Sequence, residues 1–269
     1  MIHILKAYFK FLLRSKNEHG VHSPFVFNLV TNCFNDKKKY AEYSILKDYR
    51  NSLLANKNTI EVTDFGAGSR VFKSNTRAIH QIVKNAGISS KRAELLFRII
   101  NYFQPTSILE IGTSLGMATS ALSLGNPSAK ITTLEGCPNT LAIAQKQFEE
   151  FDLENINSVA TEFSEYLKTF DFASPVRASL SGRLSTFDLI YFDGNHSKQA
   201  TMAYFELLLP TISNESIWIF DDIHWSPEME DVWKIIQNHP KVTVTIDTFQ
   251  WGIVFFRKEQ EKEHFVIWV

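Results

Sequence analysis

The segment Glu110–Gly116, with the sequence Glu-Ile-Gly-Thr-Ser-Leu-Gly, constrains the fold of this chain more than any other. It follows the apolar run 107–109 and precedes Met117, Ala118 and Ala121, which lie at helical spacing. The pattern predicts a strand that ends in a carboxylate and turns directly into a helix. Glycine allows bare backbone to approach a ligand, and the first N–H groups of a helix are free to bind one. This turn is therefore predicted to form one wall of a ligand site.

A second strand narrows the class of ligand. Residues 129–134 form a run rich in β-branched residues that leads into Glu135, and Pro138 begins the next helix. A carboxylate at that position can accept hydrogen bonds from both hydroxyls of a ribose. A dinucleotide site would require the spacing Gly-x-Gly-x-x-Gly, whereas this turn contains only Gly112 and Gly116. The glycines alone leave a structural turn in another doubly wound protein as an alternative.

Three further predicted strands carry polar residues at their ends. Residues 156–160 are followed by Thr161 and Glu162. The apolar strand within 187–196 ends at Asp193, and the strand within 216–222 ends in two aspartates. In open α/β sheets, ligands bind outside the carboxyl ends of the strands. The sequence therefore predicts an α/β protein with a doubly wound sheet and a binding site along one edge of it.

The Glu-x-Gly-x-x-x-Gly turn and the acidic end of the following strand resemble the S-adenosylmethionine-binding half of class I methyltransferases, in particular the catechol O-methyltransferase-like group. The resemblance extends from Ile88 to Arg257. It implies a Rossmann-like, doubly wound sheet of seven strands with the last strand antiparallel, and S-adenosylmethionine as the cofactor. It also implies that Thr161 and Glu162 lie beside the adenine. The implied cofactor-binding residues are Glu110, Gly112, Thr113, Ser114, Gly116, Glu135, Gly136, Thr161, Glu162 and Asp193.

The resemblance also implies that the strand ending in Asp193 and the strand ending in Asp221 and Asp222 are neighbours. Carboxylates at adjacent strand ends, about 5 Å apart, repel one another by about 3 kcal/mol per pair. A cation would offset this repulsion, and all-oxygen ligation suits Mg²⁺ or Mn²⁺ better than zinc. We therefore predict that these three aspartates bind Mg²⁺. The alternative is that they only cap the loops that follow the strands.

His196 lies three residues beyond Asp193, so a tight turn can bring its ring beside the predicted metal. Catechol-type enzymes generally have a lysine at this position and an Asp-Asn pair after the next strand. The histidine and the Asp-Asp pair of this chain resemble instead the metal-dependent O-methyltransferases that modify sugars on macrolides. We predict that His196 is the catalytic base for methylation of a hydroxyl on a small-molecule acceptor, with His224 and Trp225 lining the acceptor side.

Three other classes of protein remain as alternatives. A metal-free N- or O-methyltransferase would keep the cofactor residues without the metal. A non-catalytic S-adenosylmethionine-binding protein would need Glu110 and Glu135 but not the aspartates and His196. A nicotinamide oxidoreductase would require the other glycine spacing.

Residues 1–87 are predicted to form a helical extension or lid, and residues 88–269 are predicted to form the methyltransferase domain. The first segment is predicted to be an amphipathic helix, whose apolar face is expected to pack on the rest of the chain or on a second subunit. A homodimer is therefore one expectation, and a membrane-surface role is the alternative. The apolar residues of this helix are Ile2, Leu5, Tyr8, Phe9 and Leu12.

The segment Asp64–Ser69 imitates a cofactor loop, because a strand-like run precedes its two glycines. A nucleotide site needs a second strand soon afterwards, and none is predicted before Ser107. We therefore interpret the segment as a glycine-rich loop of the lid, where Arg70, Lys73 and Arg77 could meet a substrate anion.

The charge distribution and the cysteine content bear on which partners the protein binds and in which cellular compartment it lies. Residues 1–100 contain 17 Lys and Arg against 7 Asp and Glu, although the whole chain has a formal net charge of −1. The basic and aromatic residues are not interleaved as in nucleic-acid sites, so no nucleic-acid partner is expected. Cys33 and Cys137 form no Cys-x-x-Cys pair, and no apolar run reaches about 18 residues. These features predict a cytoplasmic protein without a signal peptide or membrane span.

Overall fold

The structure is a computed structural model that describes residues 2–63, 74–168 and 186–269. The glycine-rich segment Asp64–Ser69 and the nearby Arg70 and Lys73, which the sequence assigned to a lid, lie outside these ranges.

Helices and strands alternate through most of the described chain, as the sequence predicts for an α/β protein. The helices are α1 (Ile2–Arg14), α2 (Pro24–Leu29), α3 (Glu42–Ala55), α4 (Ile79–Asn85), α5 (Ser90–Phe103), α6 (Met117–Gly125), α7 (Pro138–Glu150), α8 (Phe163–Lys168), α9 (Lys198–Leu208) and α10 (Pro227–Asn238). The strands are β1 (Thr59–Glu61), β2 (Thr76–Ala78), β3 (Ser107–Ile111), β4 (Lys130–Glu135), β5 (Ile156–Ala160), β6 (Leu189–Phe192), β7 (Ile217–Asp221), β8 (Val244–Asp247), β9 (Trp251–Phe255) and β10 (Glu263–Val266).

The chain divides into two compact units. One unit is Thr31–Phe163, and the other combines Met1–Val30 with Ser164–Val269. Residues 31–87 belong to the same unit as β3, β4 and β5, whereas α1 belongs to the unit that contains β6 to β10. The division into an extension of residues 1–87 and a domain of residues 88–269, and the lid function of the extension, stay predictions.

In the unit Thr31–Phe163, β3, β4 and β5 are parallel neighbours, and β1 and β2 form an antiparallel pair. Glu110 lies opposite Thr133, and Glu135 lies opposite Ala160. Helix α5, which leads into β3, is capped by the Ser89 hydroxyl, which accepts a hydrogen bond from the Arg92 N–H. The cap therefore lies one residue before Ser90, the first residue of the helix.

In the other unit, five strands follow the order β10-β8-β9-β7-β6. β6 and β7 are parallel, and β9 is antiparallel to both β7 and β8, so the sheet contains the antiparallel strand that the family resemblance implies. The pattern missed β10, a four-residue strand parallel to β8 whose first two residues are exposed. These five strands, β10 included, and the parallel strands β3, β4 and β5 make eight. The resemblance implied seven.

Helix α1 buries a different face from the one that the periodicity indicated. Ala7 and Phe11 are buried, whereas Leu5, Phe9 and Leu12 are exposed. Among the described residues, no helix is both long enough and apolar enough to cross a membrane.

Candidate active site

The turn between β3 and α6 is fixed by backbone conformations that favour glycine. Gly112 has φ 107° and Gly116 has φ 75°, and Ser114 between them is also left-handed at φ 49°. The N–H groups of Gly112 and Thr113 both donate to the carbonyl oxygen of Leu134, at 3.0 Å each. These bonds tie the turn to β4, so that the ends of the two strands form one rigid edge.

Gly116 is required by the packing of the protein itself. A methyl group at this position would overlap the Tyr49 hydroxyl and the Phe148 ring. The Tyr49 hydroxyl also donates to the carbonyl oxygen of Leu115 at 2.9 Å, which holds the ring against the turn. This glycine therefore has a structural role in addition to the predicted contact with a cofactor.

Glu110 is fully buried behind the turn. The hydroxyls of Thr119 and Thr133 both donate to its Oε2 atom at 2.5 Å. Burial raises the pKa of Glu110 to about 8; the two hydroxyl hydrogen bonds offset part of this effect, and the charge of Glu135 adds to it. Its Oε1 atom has no hydrogen-bond partner among the described residues. Burial therefore favours the protonated form of Glu110, and its direct contact with a cofactor stays a prediction.

Glu135 lies at the end of β4 with both carboxylate oxygens in fixed positions. Oε2 accepts a hydrogen bond from the Ser114 N–H at 2.8 Å, and Oε1 accepts one from the Cys137 N–H at 2.9 Å. Each carboxylate oxygen can accept a further hydrogen bond. Two such oxygens, held side by side at a strand end, match the donor pattern of adjacent ribose hydroxyls. The chemistry of these two acceptor oxygens therefore fits the ribose hydroxyls of S-adenosylmethionine.

The remaining predicted cofactor residues of this unit lie at the same edge. The Thr113 hydroxyl is hydrogen-bonded to the Thr133 hydroxyl at 2.6 Å, and Gly136 directly follows Glu135. Thr161 and Glu162 follow β5, and the Thr161 N–H donates to the carbonyl oxygen of Glu135 at 2.9 Å. The structure thus brings together the ends of β3, β4 and β5, as the sequence predicts.

In the second unit, the ends of β6 and β7 bring Asp193 level with Asp221. Phe192 lies opposite Phe220, so the next residues on the two parallel strands are neighbours at a spacing of about 4.8 Å. Asp221 is buried, and Asp222 takes a left-handed conformation at φ 55°. The predicted adjacency of these two strand ends is confirmed.

His196 lies beside Asp193 in the loop after β6. Its Nε2 atom is 3.6 Å from Asp193 Oδ1, and the two side chains are 25% and 19% exposed. Asn195 precedes it with φ 48°, and Ser197 follows it as the N-cap of α9. The histidine therefore lies between a left-handed turn residue and the start of a helix, near a carboxylate and partly exposed to solvent.

Comparison with protein families identifies a central segment of the chain. Residues 109–223 match a family model described as a methyltransferase domain. This segment is a methyltransferase domain. The family resemblance predicted from the turn and from Glu135 is thereby confirmed.

Solved structures share the fold of this methyltransferase. One is the O-methyltransferase TomG from Streptomyces achromogenes, involved in tomaymycin synthesis and solved with SAM; identity is 14%, the TM-score is 0.55, and the match covers 82% of this chain and 91% of that one. Another is an O-methyltransferase from Bacillus cereus solved with SAH, at 17% identity and a TM-score of 0.53, covering 81% and 92%. A third is the SAH-bound methyltransferase PaMTH1 from Podospora anserina, at 14% identity and a TM-score of 0.55, covering 88% and 97%. At these identities the likeness shows the fold.

The three aspartates predicted to bind magnesium are not arranged as a metal site in the described part of the chain. Within the ranges that the structure describes, no group of three or more His, Cys, Asp or Glu side chains is arranged to hold a metal ion. Asp193, Asp221 and Asp222 all lie within those ranges. Their strand ends are adjacent, but their side chains do not converge into a three-donor site.

A second histidine of the methyltransferase is engaged on both sides by carboxylates. His224 Nδ1 lies 3.1 Å from Glu230 Oε1, and Nε2 lies 2.9 Å from Asp247 Oδ2. Burial lowers the pKa of His224, but the hydrogen bonds and charges of Asp247 and Glu230 raise it by more, so that it lies above its ordinary value. Both ring nitrogens act as donors in the protonated ring. Because carboxylates contact both of its ring nitrogens, His224 is a poor candidate for the base.

Phe249 completes this cluster. Its ring stacks on His224 with centroids 5.2 Å apart and an interplanar angle of 17°. It has φ 73°, which is rare for a bulky residue, and its N–H donates to Asp247 Oδ1 at 2.7 Å. Asp247 thus orients both the imidazole and the strained backbone.

The sequence reading missed Asp247 and Glu230. Asp247 follows the apolar run 242–246, so the same signal that identified Glu135 and Asp193, a carboxylate at a strand end, was present there. Glu230 lies within α10 and gave no comparable signal, because acidic residues are common in the first turn of a helix.

Proposed function

We propose that this methyltransferase transfers the methyl group of S-adenosylmethionine to a hydroxyl oxygen of a small-molecule acceptor, with His196 as the base. The observation that carries the proposal is the pairing of His196 with Asp193 at the end of β6, with both side chains partly exposed. His224, with carboxylates at both ring nitrogens, lacks an accepting atom.

The cofactor would be held by the turn between β3 and α6. Glu135 would accept the ribose hydroxyls, the backbone of residues 112–116 would contact the methionine moiety, and Thr161 and Glu162 would contact the adenine. S-adenosylmethionine supplies a methyl group that is already activated on a sulfonium sulfur. The protein therefore needs only to align that carbon with the acceptor oxygen, at about 3 to 3.5 Å, and to remove the hydroxyl proton.

His196 would accept that proton as the new oxygen–carbon bond forms and the sulfur–carbon bond breaks. With Nε2 directed toward Asp193, Nδ1 is the ring nitrogen that takes the proton. The Asp193 carboxylate then stabilises the imidazolium across 3.6 Å. General-base catalysis of this kind typically contributes 10²- to 10⁴-fold in rate, roughly.

Magnesium remains a prediction from the sequence. Since the described carboxylates do not form a three-donor site, we derive no catalytic step through a metal. A metal-free O-methyltransferase is therefore the form of the proposal that the geometry favours, and magnesium dependence is the second candidate.

The proposal can be tested by measuring S-adenosylhomocysteine formation from S-adenosylmethionine with a panel of phenolic and sugar hydroxyl compounds. An acceptor that supports turnover should lose it by about 10²-fold or more in His196→Ala. His19→Ala, a change at an exposed histidine, should match the wild type. Turnover that persists in EDTA would support the metal-free form, and turnover restored only by Mg²⁺ would support the metal form. Full turnover in His196→Ala would exclude this histidine as the base.

A further inference from the structure

Helix α1 presents three separate sectors around its axis. Ala7 and Phe11 form the buried sector. The exposed apolar sector consists of Leu5, Phe9, Leu12 and Leu13, and the exposed basic sector consists of Lys6, Lys10 and Arg14. Because residues three and four apart lie on one face of a helix, each sector is continuous along α1. We call the exposed apolar and basic sectors together the α1 surface.

The buried sector fixes the helix to its own unit. The Phe11 ring lies 5.5 Å from the Phe249 ring, and the Tyr8 ring makes an edge contact with Phe249 at 4.9 Å between centroids. The α1 surface is therefore formed by a folded helix, which does not need to order itself on binding. The cost in conformational entropy of binding through this face is correspondingly small.

The apolar sector is too exposed to be a poorly packed core. Leu13 is 87% exposed and Phe9 is 66% exposed. Trp268, which is 51% exposed, lies beside α1, since its ring is 6.4 Å from the Tyr8 ring. Contiguous exposed apolar groups of this kind mark interaction sites, and tryptophan is enriched where proteins meet the membrane interface.

The charges beside the apolar sector identify the partner. Helix α1 contains three exposed basic residues and neither Asp nor Glu. A second copy of this chain, paired through the same surface, would bring Lys6, Lys10 and Arg14 of both copies to one seam with no acid on either helix to pair them. An anionic bilayer instead offers negative headgroups for the basic sector and acyl chains for the apolar sector.

We propose that the α1 surface binds the headgroup region of an anionic phospholipid membrane, with Leu5, Phe9, Leu12 and Leu13 inserted and Lys6, Lys10 and Arg14 on the phosphates. The helix lies in the plane of the interface and does not cross it. This inference is independent of the methyl-transfer proposal, because it uses none of the residues assigned to the cofactor or to the base.

The test is co-sedimentation of the full chain with vesicles of phosphatidylcholine alone and with equimolar phosphatidylcholine and phosphatidylglycerol. Binding to the anionic vesicles is expected, with little binding to the neutral ones. Leu13→Glu should weaken the anionic partition coefficient by about 10-fold or more. Lys6→Gln combined with Lys10→Gln should weaken it by about 5-fold per charge removed.

Matched controls separate the α1 surface from general effects. Ile235→Glu removes an exposed apolar residue on α10, and Lys84→Gln with Lys91→Gln removes two exposed charges elsewhere. Both controls should bind vesicles as the wild type does. Absence of binding by the wild type, equal binding to neutral vesicles, or unchanged binding of Leu13→Glu would each overturn the proposal. The proposal would also be overturned if light scattering showed a dimer that Leu13→Glu dissociates and no vesicle binding were seen. The partner of the α1 surface would then be a second copy of the chain.

Discussion

The end of β3 and the cluster around His224 both contain acidic side chains, but their surroundings offset the cost of the charge in different ways. Glu110, at the end of β3, accepts hydrogen bonds from two hydroxyls, and burial raises its pKa to about 8. Asp247 and Glu230 instead lie against His224, and their hydrogen bonds and charges raise the pKa of its imidazole. In both regions the folded state therefore favours a bound proton more than the unfolded chain does.

The two regions also differ in how far apart in the sequence their parts lie. The Glu110 region is built from residues 110–135 and is held together by hydroxyl and backbone hydrogen bonds. The His224 region joins α10, the end of β8 and, through Phe249, helix α1. The first region is therefore formed by one short segment, whereas the second depends on contacts between distant elements.

The largest expected effect is the contribution of Glu110 to the pH dependence of the free energy of unfolding. Because its pKa is raised from an ordinary 4.5 to about 8, its contribution to stability is complete below pH 4.5 and is lost as the pH rises to about 8. Across this window the free energy of unfolding should fall by up to about 1.4 kcal/mol per pH unit from this group. Glu110→Gln, which keeps the shape of the protonated acid, should remove that slope in denaturant titrations between pH 5 and about 8. Parallel curves for the variant and for the wild type would show that Glu110 is ionised in the folded state.

The second effect concerns the internal packing of the same turn. Gly116→Ala should destabilise the protein by about 3 kcal/mol, because it combines a left-handed conformation with overlap against Tyr49 and Phe148. Gly20→Ala is the matched control, since a methyl group there meets only the flexible Lys16 side chain. Equal melting temperatures for the two variants would indicate that the turn can open without cost.

The smallest effect is expected at His224. Since its folded pKa is raised above 6.5, its contribution to stability is present below pH 6.5 and is lost as the pH rises through the folded value. His224→Gln should cost about 2 kcal/mol at pH 6 and less at pH 9. An NMR titration of the His224 ring would measure its pKa directly. A pKa for His224 below the ordinary value of 6.5 would contradict the ion-pair assignment.

Much of the fold could be predicted because its signals are local. The strand before Glu110, the turn at Gly112 and Gly116, and the helix at Pro138 each depend on a few neighbouring residues, and all are confirmed. The short strand β10 has too few buried residues to stand out from a loop. The face that α1 buries depends on its contacts with Phe249, which lies far away in the sequence.

The sequence predicts which strand ends lie together in the candidate site. It does not predict which side chains contact one another there. Register places Asp193 beside Asp221, as expected. The sequence does not specify where each carboxylate turns, and the three predicted metal ligands do not converge among the described residues. The association of His224 with Asp247 spans 23 residues, a distance over which no spacing rule applies.

The most direct test of the account is a calorimetric titration of S-adenosylhomocysteine into the wild type, Glu135→Ala and Glu149→Ala. Glu135 would accept both ribose hydroxyls, whereas Glu149 is exposed on α7 and serves as the matched control. The account predicts binding by the wild type, the same affinity for Glu149→Ala, and an affinity at least about 10-fold weaker for a folded Glu135→Ala. Equal affinity of all three proteins, or no binding by the wild type, would contradict it.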